Sequence, residues 1–345
     1  MFLARAKLFN QMRSNEHIFF GAILPNTKLF GGVKRFFEIG NILVQKGYEF
    51  TVLTPHGVAP EWFDFNGRIE KLSNIDKYSF DALFVTEPGF LPNLRNANAN
   101  LKIFYTVIER SNFTRVAKKN EFTVFANSSR LYKILGGPAR QNLVKAIGGI
   151  NLDKFKFQER TEKKSNDPFT ILVYGRFYRK KKGTSLVVKA CEKLYRQGLN
   201  IKLLLFDSPV DDSTRELVNK FSCKIPFEFF VDHPVKDLAS LYHKADIFVS
   251  AERNAGWSNT SAEAMACGVP VIATQSGTAD FLFHEQTGLV VYRHPWFIQR
   301  AIKRLYNDVA LRRKLAVNAR KEIEKFSWKR LTDIIERYII SKLKA

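Results

Sequence analysis

One stretch of the sequence, residues 245–274, constrains the fold more than any other part of the chain. Residues 245–250 form a short apolar run, which is typical of a strand buried inside a parallel sheet. A turn follows, after which Ser258 and Asn259 are suitable N-caps for a helix and Gly268 is suited to end it. The next five residues are apolar again and predict a second buried strand. The stretch therefore predicts a strand–turn–helix–strand unit of an α/β fold.

The N-terminus of this predicted helix faces the crevice at the carboxyl end of the preceding strand. Its free backbone N–H groups, those of Ser258, Asn259 and Thr260, and its dipole favour the binding of an anion. Glu263 lies one turn inside the helix, where its carboxylate can accept hydrogen bonds from two hydroxyl groups of a ribose. The alternative interpretation is an ordinary βαβ unit of a parallel sheet that binds no ligand.

The same residues resemble the nucleotide-sugar signature of retaining GT-B glycosyltransferases of family four, the glycosyl transferases group 1 type. The family signature has two glutamates eight positions apart, and the second begins a Glu-Ala-Met-Ala-Cys-Gly-x-Pro-Val run that residues 263–271 match. The resemblance implies an α/β fold of the GT-B class, with two Rossmann-like domains whose parallel sheets face an interdomain cleft. It also implies transfer of a sugar from a nucleotide-diphosphate donor to a hydroxyl acceptor, with retention and without a metal or cofactor.

This chain departs from the family pattern at two places near the expected sugar. The first glutamate of the signature falls on Ala255, which implies altered sugar recognition, a shifted carboxylate such as Glu252, or a weak or inactive enzyme. Trp257 follows as in the family and is a further candidate contact of the sugar. Many relatives place a histidine near the donor sugar where this chain has Glu109 and Arg110. Either residue is a candidate substitute, and the alternative is a surface ion pair.

The first half of the chain opens like a Rossmann fold. A buried strand is predicted at residues 17–24, followed by a turn-rich loop ending in Gly31 and Gly32, a helix at residues 33–45 and a strand at residues 49–53. Paired glycines at the start of a helix let the backbone approach a phosphate closely. The family has a Gly-Gly-x-x-Arg element here, beside the acceptor and the donor diphosphate, so Gly31 and Gly32 are candidate donor-binding residues.

A polar segment at residues 158–168 is the clearest linker, and a second Rossmann-like half follows it. A strand is predicted at residues 169–174, then a basic loop to Gly183 and a helix. Several cations in one loop repel one another unless an anion binds them. The family places an arginine and a lysine on the donor diphosphate here, which match Arg176 and Lys182, the two candidate catalytic residues; the alternative is a solvated basic turn.

The remaining assignments follow from the resemblance. Val231 and His233 lie where relatives hold the base through backbone groups. The chain is expected to divide into an acceptor-side domain at residues 1–157, the linker at residues 158–168 and a nucleotide-sugar-binding domain at residues 169–327. Residues 328–345 are expected to form a helix that crosses back to the first domain.

Composition limits the partners. The formal net charge is +22, divided as +10 in residues 1–157 and +12 in the rest, which indicates either an anionic partner or a well-solvated surface. An anionic membrane surface is one such partner, and no apolar run is long enough to span a bilayer. We expect these cations of the first domain near it: Lys7, Arg13, Lys34, Arg35, Arg115, Lys118 and Lys119.

The three cysteines, Cys191, Cys223 and Cys267, match no metal or disulfide spacing and favour a cytoplasmic protein, at the periphery of the inner face of the membrane if attached. The expected partners are a nucleotide sugar and a glycan or lipid-linked acceptor, such as a cell-surface polysaccharide precursor. Two alternatives remain from the sequence: a nucleotide-sugar epimerase or phosphorylase on the same scaffold, or a basic nucleic-acid-binding protein. Against the second, no helix-turn-helix, zinc or RNA-binding signature is present.

Overall fold

A computed structural model describes residues 18–159, 166–208, 211–231 and 237–345, which form two α/β units. Each unit is built on one sheet, and every strand pair in the described residues is parallel. Helices cover both faces of each sheet, as the near-continuous apolar strands require. The predicted α/β class with two Rossmann-like sheets is therefore confirmed.

The first sheet has the strand order β3-β2-β1-β4-β5-β6-β7. Its strands are β1 (Phe19–Ile23), β2 (Glu49–Thr54), β3 (Arg68–Lys71), β4 (Phe80–Val85), β5 (Ala99–Thr106), β6 (Thr123–Ala126) and β7 (Leu143–Lys145). The helices between them are α1 (Gly31–Gln45), α2 (Leu91–Asn96), α3 (Ser111–Ala117) and α4 (Ser129–Ile134).

The second sheet has the strand order β10-β9-β8-β11-β12-β13. Its strands are β8 (Phe169–Tyr174), β9 (Ile201–Asp207), β10 (Phe227–Val231), β11 (Ile247–Ser250), β12 (Val271–Ala273) and β13 (Leu289–Val290). The helices of this half are α5 (Thr184–Arg196), α6 (Asp212–Asn219), α7 (Leu238–His243), α8 (Asn259–Ala266), α9 (Pro295–Asn307), α10 (Val309–Ile323) and α11 (Trp328–Leu343).

The central strands coincide with the apolar runs of the sequence, whereas two edge strands do not. β3 has the sequence Arg-Ile-Glu-Lys and is partly exposed, and β13 has only two residues. An edge strand is paired on one side only and needs no continuous apolar run, so periodicity does not reveal it. Helix α8 begins directly after Ser258, and Gly268 adopts a φ of +76° just beyond its end.

Helix α11 packs against the first sheet although it ends the chain after the second. Trp328, Leu331, Ile335 and Ile339 are buried in one core cluster with residues of α1 and strands β1, β2 and β5. This apolar face is large enough to hold the helix there, since burying each such side chain contributes about 1.5–3 kcal/mol.

The chain crosses between the two halves at two adjacent places. The N–H groups of Gly149 and Ile150 both donate to the carbonyl oxygen of Phe326 at 3.0 Å, and the N–H of Trp328 donates to that of Ile150 at 3.1 Å. Gly149 has a φ of +124°, and a Cβ atom at this position would lie 2.0 Å from the Trp328 ring. The two crossings are therefore hydrogen-bonded to each other, and the indole fills the space that a side chain at residue 149 would need.

We predict that Gly149→Ala destabilises the protein more than Gly198→Ala. Both glycines have a positive φ, but a Cβ atom at Gly198 would meet nothing within 4 Å. Gly198→Ala should cost about 1–2 kcal/mol of unfolding free energy from backbone strain alone. Gly149→Ala should cost about 1–3 kcal/mol more, because the Trp328 ring must move. Urea denaturation of the two variants measures the difference, and equal losses would contradict the packing argument.

Candidate active site in the interdomain cleft

A cleft of about 500 Å³ lies between the carboxyl ends of the two sheets. Residues just beyond strand ends of both halves line it, among them Glu87 after β4, Val107 after β5, Asn127 after β6 and Glu252 after β11. Loops at the carboxyl ends of parallel strands are where α/β proteins bind ligands, because side chains of several strands converge there. Among the described residues, no cluster of His, Cys, Asp or Glu suited to a metal ion is present.

A buried ion pair joins the two halves across this cleft. Lys34 Nζ on α1 lies 2.9 Å from Glu263 Oε1 on α8, and the hydroxyl of Tyr242 donates to Glu263 Oε2 at 2.9 Å. Lys34 and Glu263 are 9% and 4% exposed. Burial acts to lower the pKa of Lys34, but Glu263 and Glu38 together outweigh it and hold that pKa above its usual value. Lys34 is therefore charged at neutral pH. Burial and Glu263 also raise the pKa of the Tyr242 hydroxyl well above its usual value.

Arg176 is held rigidly at the end of β8. Its Nη2 lies 2.8 Å from Asp207 Oδ1 and donates to the carbonyl oxygen of Ser208 at 2.7 Å. The hydroxyl of Tyr178 donates to the other oxygen of Asp207 at 2.9 Å, and burial together with Asp207 raises the pKa of Tyr178 to about 12. The guanidinium is thus oriented by a carboxylate and a carbonyl group, while Arg176 still lines the cleft.

Lys182 lies beside Arg176 in the basic loop. Its ammonium group forms an ion pair with Glu252, and both side chains line the cleft. The Tyr174 ring lies beneath both cations, with its centroid 5.1 Å from Arg176 Cζ and 5.4 Å from Lys182 Nζ. The structure thus brings together the two cations that the sequence singles out, and it places Glu252 with them.

Two helix N-termini face each other across the cleft. Helix α1 begins at Gly31 and helix α8 at Asn259, and a Cβ atom added at Gly31 would lie 2.7 Å from Asn259 Nδ2. Both glycines of the pair, together with Asn259 and Thr260, line the cavity. Because the positive ends of both dipoles converge here, the position favours an anion.

The amide of Ser258 does not contribute to this anion site, contrary to the expectation from sequence. Its N–H donates to the carbonyl oxygen of Gly277 at 2.8 Å, and its hydroxyl donates to that of Ser261 rather than capping the backbone. Ser258 is buried and is absent from the cleft lining. The backbone N–H of Ser258, which the sequence pattern assigns to a ligand, is thus occupied by Gly277. Local sequence does not reveal this contact, because Gly277 lies outside the strand–turn–helix–strand unit.

Other candidate residues divide between the cleft and its surroundings. Trp257 lines the cleft and is buried, with its ring against Phe281, and its Nε1 has no hydrogen-bond partner among the described residues. Glu109 is absent from the lining, because its carboxylate accepts from the Ser128 hydroxyl at 3.0 Å and lies 3.3 Å from Arg130. Arg110 lines the cleft instead. Val231 ends β10 away from the lining, and His233 lies outside the described residues.

The expectation that Lys34 and Arg35 face a bilayer is wrong. Arg35 is 3% exposed, donates to the hydroxyl of Tyr105 at 2.8 Å and lies over the Trp328 ring. Arg115, Lys118 and Lys119 are exposed, whereas Lys7 and Arg13 lie outside the described residues. No helix of the described residues is long and apolar enough to cross a membrane.

Asn127 is a cleft residue that the sequence patterns did not single out. The next residue, Ser128, caps α4, because its hydroxyl accepts from the N–H of Leu131 at 3.1 Å. Asn127 is buried in the lining, and its Oδ1 has no hydrogen-bond partner in the part of the chain that the structure describes. Its position directly after a buried strand is the signal that would have revealed it.

Comparisons with known proteins agree with this geometry. Residues 154–322 match the family model described as glycosyl transferases group 1. A capsular polysaccharide biosynthesis glycosyltransferase of Staphylococcus aureus is 31% identical over 219 residues, covering 58% of this chain and 57% of that protein. A phosphatidyl-myo-inositol mannosyltransferase of Mycobacterium tuberculosis is 24% identical over 345 residues, covering 86% of this chain and 90% of that protein. The matches span about half the length of the first three curated relatives.

Solved structures show the same fold. A glycosyltransferase from Rickettsia africae superimposes with a TM-score of 0.72 at 17% identity, covering 96% of this chain and all of that one. The Anabaena protein HepE, solved with UDP and glucose, superimposes with a TM-score of 0.73 at 15% identity, covering 94% of this chain and all of that one. The predicted GT-B arrangement of two facing Rossmann-like halves is therefore confirmed.

We predict that Glu263→Ala lowers the free energy of unfolding by about 3–5 kcal/mol, because it leaves the Lys34 ammonium buried without its carboxylate. The double variant Lys34→Met/Glu263→Ala should recover much of this loss, since no uncompensated charge remains. Urea denaturation at neutral pH measures both variants. If Glu263→Ala is as stable as the wild type, the interdomain ion pair does not stabilise the folded state.

Proposed function

We propose that this chain, which belongs to the glycosyl transferases group 1 family, transfers a sugar from a nucleoside-diphosphate donor to a hydroxyl group of an acceptor. The observation that carries the proposal is the convergence of two helix N-termini with Arg176 and Lys182 in one cleft between the sheets. An anion with the extended shape of a diphosphate fits such an array of donors. The glycosyltransferase names of the relatives and the UDP complexes of structural neighbours support it.

The chemistry depends on the charge of the leaving group. As the bond between the anomeric carbon and the diphosphate oxygen breaks, negative charge develops on the diphosphate, and preorganised donors in a dry cleft lower the barrier. Arg176, Lys182 and the amides of Asn259 and Thr260 supply these donors. With cations in these positions, the reaction proceeds without a metal. For retention, the acceptor oxygen bonds to the anomeric carbon on the face that the diphosphate leaves, and a donor phosphate oxygen takes the acceptor proton.

Glu263 is the proposed ribose ligand. Each carboxylate oxygen accepts one hydrogen bond, from Lys34 or from Tyr242, and retains lone-pair capacity for a ribose hydroxyl. Lys34 and Tyr242 thereby fix the carboxylate in one orientation before the donor arrives. A preorganised acceptor loses less entropy on binding than a mobile one.

The proposed acceptor is a lipid-linked or cell-surface glycan precursor. One relative is named for capsular polysaccharide biosynthesis, and another for mannosyl transfer to phosphatidyl-myo-inositol. The sugar and the base of the donor are properties that a binding panel identifies directly.

The test combines binding with transfer. In a thermal-shift panel, at least one nucleoside diphosphate or its sugar should raise the melting temperature, because ligand binding to the folded state stabilises it by mass action. That donor should then transfer labelled sugar to an acceptor extract. Arg176→Ala and Lys182→Ala should each lower turnover by roughly 10²–10³-fold, and more than they raise the donor KM.

Lys180→Ala is the matched control, because Lys180 is an exposed cation of the same loop that does not line the cleft. It should retain wild-type turnover. Full turnover in Lys182→Ala would remove that residue from the mechanism. Interconversion of nucleotide sugars without transfer would instead identify an epimerase.

We further propose that the first half attaches reversibly to an anionic membrane through Arg115, Lys118 and Lys119. These cations lie on or directly after α3 and are exposed. Each Lys or Arg near an anionic surface contributes about 1 kcal/mol, so a cluster suffices for peripheral attachment. Such attachment would bring the cleft to a lipid-linked acceptor.

Vesicle co-sedimentation tests this attachment. The protein should pellet with anionic phosphatidylserine vesicles at low salt and remain in solution as salt shortens the Debye length. Arg115→Gln/Lys118→Gln/Lys119→Gln should weaken pelleting by tenfold or more. Removal of three exposed cations from α9 and α10, Lys303→Gln/Arg313→Gln/Lys314→Gln, should weaken it less. Equal effects of the two triple variants would show that only net charge matters.

A further inference from the structure

We propose that Arg110, Arg179 and Lys181 form a second anion subsite in the cleft, which binds a carboxylate or phosphate that the substrate carries in addition to the donor diphosphate. The inference rests on the proposed function, because it names the substrate class of the same cleft. The shared chemistry is a small anionic group, carried either by the transferred sugar or by the acceptor.

Four lining cations have no carboxylate partner within the described ranges: these three and Arg35, whose guanidinium is buried and donates to the Tyr105 hydroxyl instead. Seven cationic and four anionic side chains line the cleft, a formal excess of three positive charges. Glu263 pairs with Lys34, Asp207 with Arg176 and Glu252 with Lys182. Within the described residues, no carboxylate oxygen lies within 4.0 Å of Arg110, Arg179 or Lys181.

The fourth acid, Glu87, forms no ion pair with this cluster. Burial raises the pKa of Glu87, and the attraction of Arg110 only partly opposes that effect. The formal excess of three positive charges already counts Glu87 as an anion. An anion brought by a ligand meets less competition here than at Arg176 or Lys182, where carboxylates are already bound.

The three cations approach the cleft from both halves of the molecule. Arg110 precedes α3 in the first half, while Arg179 and Lys181 belong to the basic loop after β8. All three side chains line the same cleft. Burial lowers the pKa of Lys181, and repulsion from Lys182, Arg110 and Arg179 lowers it further, against the attraction of Glu252. An anion shared between the cations would relieve this repulsion.

The diphosphate of a nucleotide sugar does not supply enough charge for the whole cleft. It carries about two negative charges, fewer than the formal excess of the lining. Ala255 lines the cleft and contributes no carboxylate that would reduce this excess. The backbone next to it is tightly packed against the first half: a Cβ atom at Gly256 would lie 2.4 Å from the carbonyl oxygen of Val107. The segment that leads to Arg110 therefore abuts the segment that follows Ala255.

The experiment compares matched ligands that differ by one carboxylate. Isothermal titration calorimetry measures the Kd of UDP-glucose against UDP-glucuronate, of GDP-mannose against GDP-mannuronate, and of UDP and GDP alone. If the transferred sugar carries the anion, one acidic donor should bind at least tenfold more tightly than its neutral partner. Arg110→Gln should abolish that preference while changing the Kd of the nucleoside diphosphate less than about twofold.

A second arm tests the acceptor as the source of the anion. With the nucleoside diphosphate saturating, inorganic phosphate is titrated into the complex. If the acceptor carries the anion, neutral and acidic donors should bind equally, phosphate should bind the complex, and Arg110→Gln should weaken that binding at least tenfold. Arg253→Gln is the control in both arms, because Arg253 is an exposed cation beside Glu252 that does not line the cleft. It should behave as the wild type.

Three outcomes would overturn the subsite. The first is nucleotide binding with neither a carboxylate preference nor phosphate binding to the complex, which leaves the proposed sugar transfer standing. The second is that Arg110→Gln weakens the binding of the nucleoside diphosphate as much as it weakens the binding of the acidic donor or of phosphate. This result would assign the cluster to the diphosphate itself. The third is the absence of binding by any nucleotide or nucleotide sugar, which would overturn the proposed function as well.

Discussion

Pairing of buried charge is the constraint on which the cleft depends. The ammonium of Lys34 and the carboxylate of Glu263 belong to helices of different halves, yet each would be costly to bury alone. The same rule accounts for Arg176 with Asp207 and for Lys182 with Glu252. Each pair holds a charged group in a fixed place without requiring a ligand. The cleft is therefore shaped before a substrate enters, and the pairs set which charges remain for that substrate.

The positive charge of the chain has unequal consequences in different places. Most cations lie on the surface, where water and salt screen them. In the cleft, low-dielectric walls strengthen each interaction, so an excess of a few charges influences ligand choice more than the excess of the whole surface does. The composition of the sequence indicates an anionic partner, but only the positions of Arg110 and Lys181 relative to the carboxylates show where charge is left over.

Local sequence patterns predicted the elements better than the contacts between them. The strands at Phe169–Tyr174 and Ile247–Ser250 were recognisable because buried parallel strands are continuously apolar. The motif from Ser258 to Gly268 correctly located helix α8. By contrast, the sequence patterns placed Lys34 at a bilayer surface. They could not reveal its ion pair with Glu263, because the two residues lie 229 positions apart in the sequence.

The sequence also could not predict which of two neighbouring loop residues lines the cleft. Glu109 and Arg110 are adjacent and were both candidates, but only the structure shows that Ser128 and Arg130 engage the glutamate while the arginine lines the cleft. For the same reason the contact of Ser258 with Gly277 could not be foreseen. The direction of a side chain or an amide in a loop depends on contacts with residues distant in the sequence. The periodicity of apolar residues along the chain carries no information about such contacts.

The paired crossings between the halves, at Gly149–Ile150 and Phe326–Trp328, have a mechanical consequence. A single connecting strand would let one half swivel in any direction relative to the other. Two crossings hydrogen-bonded side by side restrict the relative movement of the halves more than one crossing would, and the Trp328 indole packs against the backbone of Gly149. Opening the cleft would have to keep these crossings together while it separates Lys34 from Glu263.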